Sequence, residues 1–249
     1  MNVSLVMIVK NEEKNLAKCL NSVENLVDEI VIVDSGSTDK TIEIAKTFGA
    51  KIFKREFDSF SNQKNYALSI ATNEWVLHLD ADEVLSKELV EEIKFVIINT
   101  KLDGFYLIRT NFFLGKQMKY SGINKEYRLR LAKKSVSKYV GGIIHEELIV
   151  NGKVGKLKNI MIHNSYPTIS SYFNKLEQYT TLGAKKLLET NKKAKVIDIV
   201  FKPPFEFIKR YILKCGFLDG IRGFIWAVLY AFYTFIKYIK LWEFCSKKH

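Results

Sequence analysis

The chain has 249 residues, of which 47% are hydrophobic, so it is long enough to bury one full core with a small appendage. Its 39 lysines and arginines exceed its 27 aspartates and glutamates by 12, a basic balance typical of proteins that meet nucleic acid or an anionic membrane. Cys19, Cys215 and Cys245 include neither a CxxC pair nor a Cys/His ligand cluster, and they predict reduced thiols in a cytosolic compartment.

Strand-like apolar runs alternate with helix-like segments through the first hundred residues. The apolar run 3–9 ends at Lys10 and predicts a buried first strand rather than a signal peptide. Further strands are predicted at 29–33, 51–53 and 74–79, and helices from about residue 12 and at 39–48, 61–71 and 86–98. This alternation predicts an α/β fold with a parallel, doubly wound sheet and helices on both faces. Ligands of such sheets bind at the carboxyl ends of the strands.

An acidic pair follows the predicted strand that ends near residue 79. In the LHLDADE run of residues 77–83, Asp80 and Asp82 stand two positions apart, directly after apolar residues. At a bend both carboxylates can face one hard cation, and Mg²⁺ or Mn²⁺ prefers such oxygen ligands. The alternative is an acidic turn that caps the helix beginning near Ser86. The position of His78 between two leucines predicts that it packs on the opposite side of the strand.

Two other strands end in polar residues. Asp34 ends the second strand in the VIVDSGSTD run of residues 31–39, where its carboxylate can accept hydrogen bonds from a base or a ribose. For Asp39, in the same turn, a cap on the following helix is the preferred interpretation. Asn11 and Glu12 follow the first strand in the VKNEE run of residues 9–13, so both are expected beside Asp34 at the same edge of the sheet.

Together these runs resemble glycosyltransferase family 2, an inverting group with the GT-A fold, which is a Rossmann-like nucleotide-sugar-binding fold with a mixed sheet. The resemblance is carried by IVKNEE at 8–13, VDSGSTD at 33–39, QKN at 63–65 and EWVL at 74–77 leading into DADE at 80–83. It continues through FLG at 113–115, YRLR at 127–130, HE at 145–146, FLDG at 217–220 and KLWE at 240–243, which are similar to the subgroup of lipopolysaccharide-core beta-glucosyltransferases. The match spans nearly the whole chain.

The resemblance implies a nucleotide-sugar site on the matching residues. It assigns Asp34 to the uracil or ribose, and Glu12 and Lys64, with Asn11 beside them, to the nucleotide. Asp80 is assigned to the ribose and metal.

The metal, Mg²⁺ or Mn²⁺, is implied to lie on Asp80, Asp82 and His163. His163 stands in the IHNSY run of residues 162–166, where GT-A enzymes often carry a late metal-binding histidine. Without the resemblance, a histidine after an apolar run is more often a structural residue.

The resemblance also implies a catalytic base. His145 and Glu146 occupy the place where the family usually shows an acidic pair, and the carboxylate of Glu146 is the candidate that takes the proton of the acceptor hydroxyl. Here the pair departs from the commoner Glu-Asp form. Arg128 and Arg130 are candidates for stabilising the departing diphosphate, and the alternative is that they form a solvated strand edge.

The sequence predicts a catalytic domain over residues 1–190, with a nucleotide-binding half at 1–100 and an acceptor half at 101–190, followed by a basic, aromatic tail at 191–249. The tail carries 12 basic and 4 acidic residues, or +8. Its uncharged run 223–236 has about fourteen residues, short of the ~20 that cross a bilayer, and predicts an interfacial or re-entrant helix. The alternatives are a helix pair buried on the catalytic domain and a dimer contact.

The sequence therefore predicts a metal-dependent inverting transferase, peripheral on the inner face of the cytoplasmic membrane. Its predicted donor is a UDP-sugar, with UDP-glucose preferred, and its acceptor is a glycolipid or lipopolysaccharide core. One alternative is another family 2 activity, in capsule or cell-wall polysaccharide synthesis. A second is a nucleotide-sugar-binding or membrane scaffold protein without turnover. Nucleic acid ranks last as a partner, because the basic tail carries no recognisable reader motif.

Overall fold

The computed structural model describes residues 2–123, 125–141 and 146–246. These residues divide into two compact units. The first comprises Met1–Thr110 with Glu126–His163, and the second comprises Asn111–Lys125 with Asn164–His249. The predicted functional boundary at residue 190 remains a prediction, since compactness alone does not assign function to either side of it.

The first half of the chain alternates strands and helices as predicted. The elements in chain order are β1 (Val3–Val9), α1 (Leu16–Asn21), β2 (Glu29–Asp34), α2 (Thr41–Thr47), β3 (Lys51–Lys54), α3 (Phe60–Ile70), β4 (Trp75–His78), β5 (Glu83–Leu85) and α4 (Lys87–Asn99). The rest of the chain adds β6 (Gly104–Phe113), β7 (Lys116–Gln117), β8 (Lys125–Lys133), β9 (Ser137–Val140), β10 (Glu147–Val150), β11 (Val154–Tyr166), α5 (Ile169–Glu189), α6 (Val196–Ile208) and α7 (Ile221–Ser246).

The main sheet has the order β3-β2-β1-β4-β8-β6-β11-β5, with β7 paired to β6. Strands β1, β2, β3 and β4 run parallel to one another, whereas β8 runs antiparallel to β4 and β11 antiparallel to β5. Side chains of β1 alternate between two apolar clusters. Leu5 and Met7 pack with Leu16 and Ile93 of the helices on one face, and Val6 packs with Ala67 of α3 on the other. The predicted α/β sheet with helices on both faces is therefore confirmed.

Helix α1 begins later than the sequence predicts. It was expected from about Glu12 but starts at Leu16. The Glu12 carbonyl accepts bonds from the amides of both Asn15 and Leu16, and the Glu12 carboxylate accepts one from the Asn15 amide group at 2.8 Å. The backbone of Asn11 adopts the left-handed conformation, with φ of 57°. These bonds form a turn that keeps residues 11–15 at the end of the sheet.

The second unit is built on helices. Its core contains Phe113, Met118, Tyr172 and Trp226, all buried. Thr168 caps α5 through a capping box with Ser171. A π-helical turn (Lys209–Leu213) and a 3₁₀ turn (Gly216–Asp219) join α6 to α7.

Helix α7 is longer than the uncharged run suggested, because it continues through Lys237 and Lys240 to a length of 26 residues. Of the residues that the structure describes, only this helix is long and apolar enough to cross a membrane by length and composition.

Candidate active site

Polar loops follow β1 and β2 where these parallel strands end. Hydrogen bonds join the two loops. The Asn11 side chain accepts a bond from the Thr38 amide at 2.8 Å, its own amide donates to the Ser37 hydroxyl at 3.0 Å, and the Glu12 amide donates to the Thr41 hydroxyl at 2.7 Å. The structure thus places Asn11 and Glu12 beside the loop of Asp34, as expected from the shared edge. Their contacts with a nucleotide remain a prediction.

Asp34 is only 2% exposed. Its carboxylate accepts bonds from the backbone amides of Gly36 at 3.1 Å and Ser37 at 3.1 and 3.2 Å. Gly36 has φ of 90°, a conformation that glycine adopts readily because it has no Cβ. The turn brings the Gly36 amide back to the carboxylate. Asp39 likewise accepts a bond from the Thr41 amide in the first turn of α2 at 3.0 Å, although the N-cap residue of this helix is Lys40 and not Asp39 as predicted.

Lys64 joins the two candidate carboxylates of the reaction centre. From the middle of α3, its ammonium lies 2.7 Å from Glu146 and 3.2 Å from Asp80. Burial alone would lower the pKa of Lys64, but the attraction of Asp80 outweighs it and the pKa is raised. Lys64 therefore stays charged, and its contact with Glu146 joins two residues 82 positions apart in the sequence.

Arg130 is buried, so the predicted alternative of a solvated edge is wrong for this residue. Strand β8 lies between β4 and β6 inside the sheet. The Arg130 guanidinium lies 2.5 Å from Asp80 and 2.6 Å from Glu83, and the Glu83 side chain has no exposed surface. Burial opposes the charge of Asp80, but Arg130 and Lys64 outweigh it and hold the pKa of Asp80 well below its usual range. Asp80 is thus an ionised carboxylate between two cations.

The ion pairs continue beyond Glu83. Arg109 lies 3.6 Å from Glu83 and 2.7 Å from Glu126, and Arg128 lies 2.8 Å from Glu126. Arg128 differs from Arg130 because half of its side chain is exposed, at 51%. We define the ion-pair chain as the eight groups that alternate in sign in this order: Glu146, Lys64, Asp80, Arg130, Glu83, Arg109, Glu126 and Arg128.

Asp82 and His163 lie together, as the resemblance implies. The register of β11 against β5 sets His163 opposite Glu83, and His163 Nε2 lies 3.3 Å from Asp82 Oδ2. Two adjacent ligands of an octahedral Mg²⁺ lie about 3 Å apart, since each is ~2.1 Å from the ion. The pair fits two neighbouring positions on such an ion. Among the described residues, no cluster of three or more His, Cys, Asp or Glu side chains forms a complete metal site.

His78 is a buried packing residue, as the strand alternation predicts, and it lines the same small cavity as Lys64, Asp80 and Arg130. It is 2% exposed, and its ring meets Tyr139 edge-on at 5.3 Å between centroids. Burial, with repulsion from Arg130, lowers the pKa of His78 to about 3, so the ring is neutral.

Sequence reasoning missed Glu83, Arg109 and Tyr139. Glu83 follows the predicted acidic pair directly, so its charge was visible, but only the fold shows that it is buried against two arginines. Arg109 and Tyr139 stand in runs without a motif. Of the predicted site residues, His145 lies outside the described residues.

Several known proteins resemble this chain over nearly its whole length. The model of glycosyl transferase family 2 matches residues 4–146. An uncharacterised glycosyltransferase of Rickettsia typhi is 32% identical, with 98% of this chain and 88% of the relative covered. The lipopolysaccharide core biosynthesis glycosyltransferase LpsC of Rhizobium meliloti is 28% identical over 97% of this chain and 92% of its own length.

Among solved structures, S. aureus TarS in complex with UDP-GlcNAc aligns over 100% of this chain and 93% of its own, at 15% identity and a TM-score of 0.49. The family match covers the parallel strands, both loops at their carboxyl ends and the chain as far as Glu146. The predicted GT-A fold and the predicted class of enzyme are confirmed. The chain belongs to glycosyltransferase family 2.

Proposed function

We propose that this glycosyltransferase moves glucose from UDP-glucose, with inversion, onto a hydroxyl of a lipid-linked acceptor such as lipopolysaccharide core. One observation carries the proposal. The carboxylate of Glu146 lies in the same ion-pair chain as Lys64 and Asp80. Asp80 stands two positions before Asp82, which lies beside His163. The groups proposed as base, phosphate contact and metal ligands thus come from distant parts of the sequence.

The ion-pair chain supports metal dependence. It holds four carboxylates and four cations, so its formal charge is zero, 4 − 4. A diphosphate that enters a neutral cluster gains little net attraction, because each cation already has an anionic partner at close range. We propose that Asp82 and His163 hold Mg²⁺ or Mn²⁺ there, with Asp80 near the ribose. The ion would neutralise the charge that develops on the departing diphosphate.

Lys64 is the proposed phosphate contact of this chain. Its long side chain reaches from α3 to both Asp80 and Glu146. When the donor diphosphate binds, Lys64 exchanges the Glu146 contact for a phosphate oxygen, and the carboxylate becomes available to the acceptor. Asn11, Glu12 and Asp34 contact the uridine in this proposal. Arg128, the exposed arginine of the ion-pair chain, is proposed to stabilise the departing diphosphate. The buried Arg130 holds Asp80 in place.

Glu146 is the proposed base of a single displacement. Its side chain is 21% exposed, so an acceptor hydroxyl can approach it. The hydroxyl oxygen forms a bond to the anomeric carbon while the bond from that carbon to the diphosphate oxygen breaks. The proton passes to Glu146, and the electron pair leaves with UDP. His145 is proposed to assist at the same place.

The acceptor and location are proposed from the resemblance to the lipopolysaccharide-core subgroup and from the name of the relative LpsC. The enzyme acts at the inner face of the cytoplasmic membrane, where residues 191–249 form a membrane-associating tail. The strong basic excess of this tail supports the location.

The test is a donor panel assayed by nucleotide release from purified full-length protein, with UDP-glucose, UDP-galactose, UDP-N-acetylglucosamine and GDP-mannose. We expect UDP-glucose to be used at least ~10-fold faster than the others and chelator to abolish release. Preference for GDP-mannose would overturn the uridine assignment, and full activity in chelator would overturn the metal. Transfer to a capsule or cell-wall polymer but not to lipopolysaccharide core would overturn the acceptor.

A further inference from the structure

The apolar face of helix α6 is exposed. Large apolar side chains recur along it at the spacing of one helical face, and each is 45 to 73% exposed: Val196, Ile197, Val200, Phe201, Phe205 and Ile208. In water such a face normally packs inward, because burying it removes apolar surface from solvent. Here it points outward in a helix of 13 residues.

The polar side of α6 contacts α7 instead. Asp198 and Lys202 form an ion pair at 2.9 Å, and Lys202 donates to the Tyr238 hydroxyl of α7 at 2.7 Å. In the turn that follows, Arg210 is buried, and its guanidinium lies 3.2 Å from the centre of the Tyr230 ring. Charged groups paired with neighbouring protein groups, with apolar groups turned out, are the arrangement of a lipid-facing surface.

The exposed apolar surface continues past α6. In the two turns that follow, Ile212, Leu213, Phe217 and Leu218 are 50 to 67% exposed. We define the anchor face as these four residues together with the six outward residues of α6. Basic residues stand before it and within it in the sequence. Lys192, Lys193 and Lys195 precede α6, Lys214 lies in the turns, and all four are exposed.

Residues 223–236, which the sequence predicts to contact the membrane, fit a lipid-facing surface less well than the anchor face does. Within residues 223–236 the structure buries Gly223, Trp226, Ala227 and Thr234. The exposed apolar residues of this run, at 38 to 42%, are less exposed than those of the anchor face: Phe224, Val228, Phe232 and Phe235. Farther along α7, Lys240 pairs with Glu177 of α5 at 2.8 Å, and the Tyr172 hydroxyl of α5 donates to the Leu229 carbonyl at 2.6 Å. Thus the helix that has the length to span a bilayer is held against α5 by polar contacts.

We infer that the anchor face lies in the plane of a membrane, with its apolar side chains among the acyl chains and its flanking lysines at anionic headgroups. A helix of 13 residues is ~20 Å long, too short to cross, but long enough to lie in one leaflet. The lysines favour an anionic bilayer over an uncharged apolar partner. This inference rests on the proposed function in one respect, since a lipid-linked acceptor gives the surface its purpose.

The first test is co-sedimentation of the full chain with phosphatidylglycerol-containing vesicles. The triple variant Ile197→Ser, Phe201→Ser, Phe205→Ser should bind at least ~100-fold more weakly than wild type, because three apolar anchors are lost. The matched control is Phe95→Ser with Ile98→Ser on α4, where both side chains are 68% exposed. This control should bind vesicles like wild type. Rising salt should weaken wild-type binding only in part, because apolar burial is not screened.

A second test uses fluorescence. In Phe205→Trp the new indole should be quenched by brominated lipid, whereas in Phe95→Trp it should not. Equal vesicle binding by wild type and the triple variant would overturn the inference. So would a wild-type dimer without lipid affinity that the triple variant dissociates, since the face would then belong to a second copy of the chain. Nucleotide release is measured in the same samples without vesicles. If release fails while vesicle binding holds, the proposed function fails and the anchor face stands.

Discussion

Carboxylates lie at both ends of the parallel strands. Glu29 at the amino end has a hydroxyl and a backbone amide among its partners besides a lysine, whereas Asp80 and Glu146 at the carboxyl end are held by cationic side chains. At the amino end, Glu29 accepts bonds from the Ser4 hydroxyl, the Thr72 amide at 2.8 Å and Lys51 at 2.8 Å. At the carboxyl end, Asp80 and Glu146 are held by the long side chains of Lys64 and Arg130.

This difference distinguishes carboxylates with a structural role from carboxylates with a catalytic role within one sheet. A backbone amide has a fixed position, so a carboxylate bound to it stays where folding puts it. A lysine side chain is flexible and can exchange one anion for another when a phosphate arrives. We expect substitutions at the carboxyl end to affect catalysis and those at the amino end to affect stability, and the following predictions test this expectation.

The largest effect is expected at Asp82. Asp82→Ala should lower turnover at least ~1000-fold, because the proposed metal loses its carboxylate ligand and charge on the departing diphosphate is left unneutralised. Sugar transfer and Mn²⁺ affinity in the presence of UDP are measured together. The control is Glu91→Ala on α4, whose side chain is 71% exposed and should leave both unchanged. Wild-type turnover in Asp82→Ala would remove this residue from the site.

A smaller effect is expected at Glu146. Glu146→Gln keeps the shape but cannot accept a proton, so kcat should fall by ~100-fold or more while donor affinity stays near normal. The neighbouring Glu147→Gln is the matched control, since Glu147 is exposed on β10 and should retain activity. If both variants behave alike, the base lies elsewhere.

Asp34 sharpens the comparison because it lies at the carboxyl end yet is bound by backbone amides, like Glu29. Asp34→Ala should raise the donor KM by ~10-fold and change kcat at saturating donor much less, because the turn that contacts the uridine loses its hydrogen bonds. Steady-state kinetics over a donor series separates the two parameters. An effect confined to kcat would contradict the nucleotide role of Asp34.

The parallel strands and the loops at their ends were predictable because both depend on local patterns. Apolar runs broken by polar turns mark β1, β2 and β4, and strand topology then places Asn11 and Asp34 at one edge. The contact of Lys64 with Glu146 spans 82 residues, and no local pattern encodes such a distance. The resemblance to a family supplied Glu146 and His163 where periodicity could not.

The orientation of α6 was also beyond local prediction. Periodicity at 196–208 shows that one face is apolar but not whether that face points into the protein or away from it. Only the packing of Lys202 on Tyr238 of α7 reveals the direction. Burial of Arg130 was missed for a similar reason, because a strand residue pattern does not state whether β8 lies at the edge or inside the sheet.

The smallest effect is expected at Glu29 and concerns stability alone. Burial opposes its charge, but Lys51, Ser4 and Thr72 outweigh burial and lower the pKa of Glu29 from 4.5 to about 2. Its contribution is present in full above pH 4.5 and is lost as pH falls toward 2. Between pH 7 and pH 4 the loss should be about 1 kcal/mol of unfolding free energy. Urea unfolding of wild type, Glu29→Gln and the exposed control Glu24→Gln at both pH values measures it. Glu29→Gln should show a smaller pH dependence than wild type by about that amount, with kcat near neutral pH unchanged. A loss of turnover in Glu29→Gln at full folding would break the division between the two ends of the sheet.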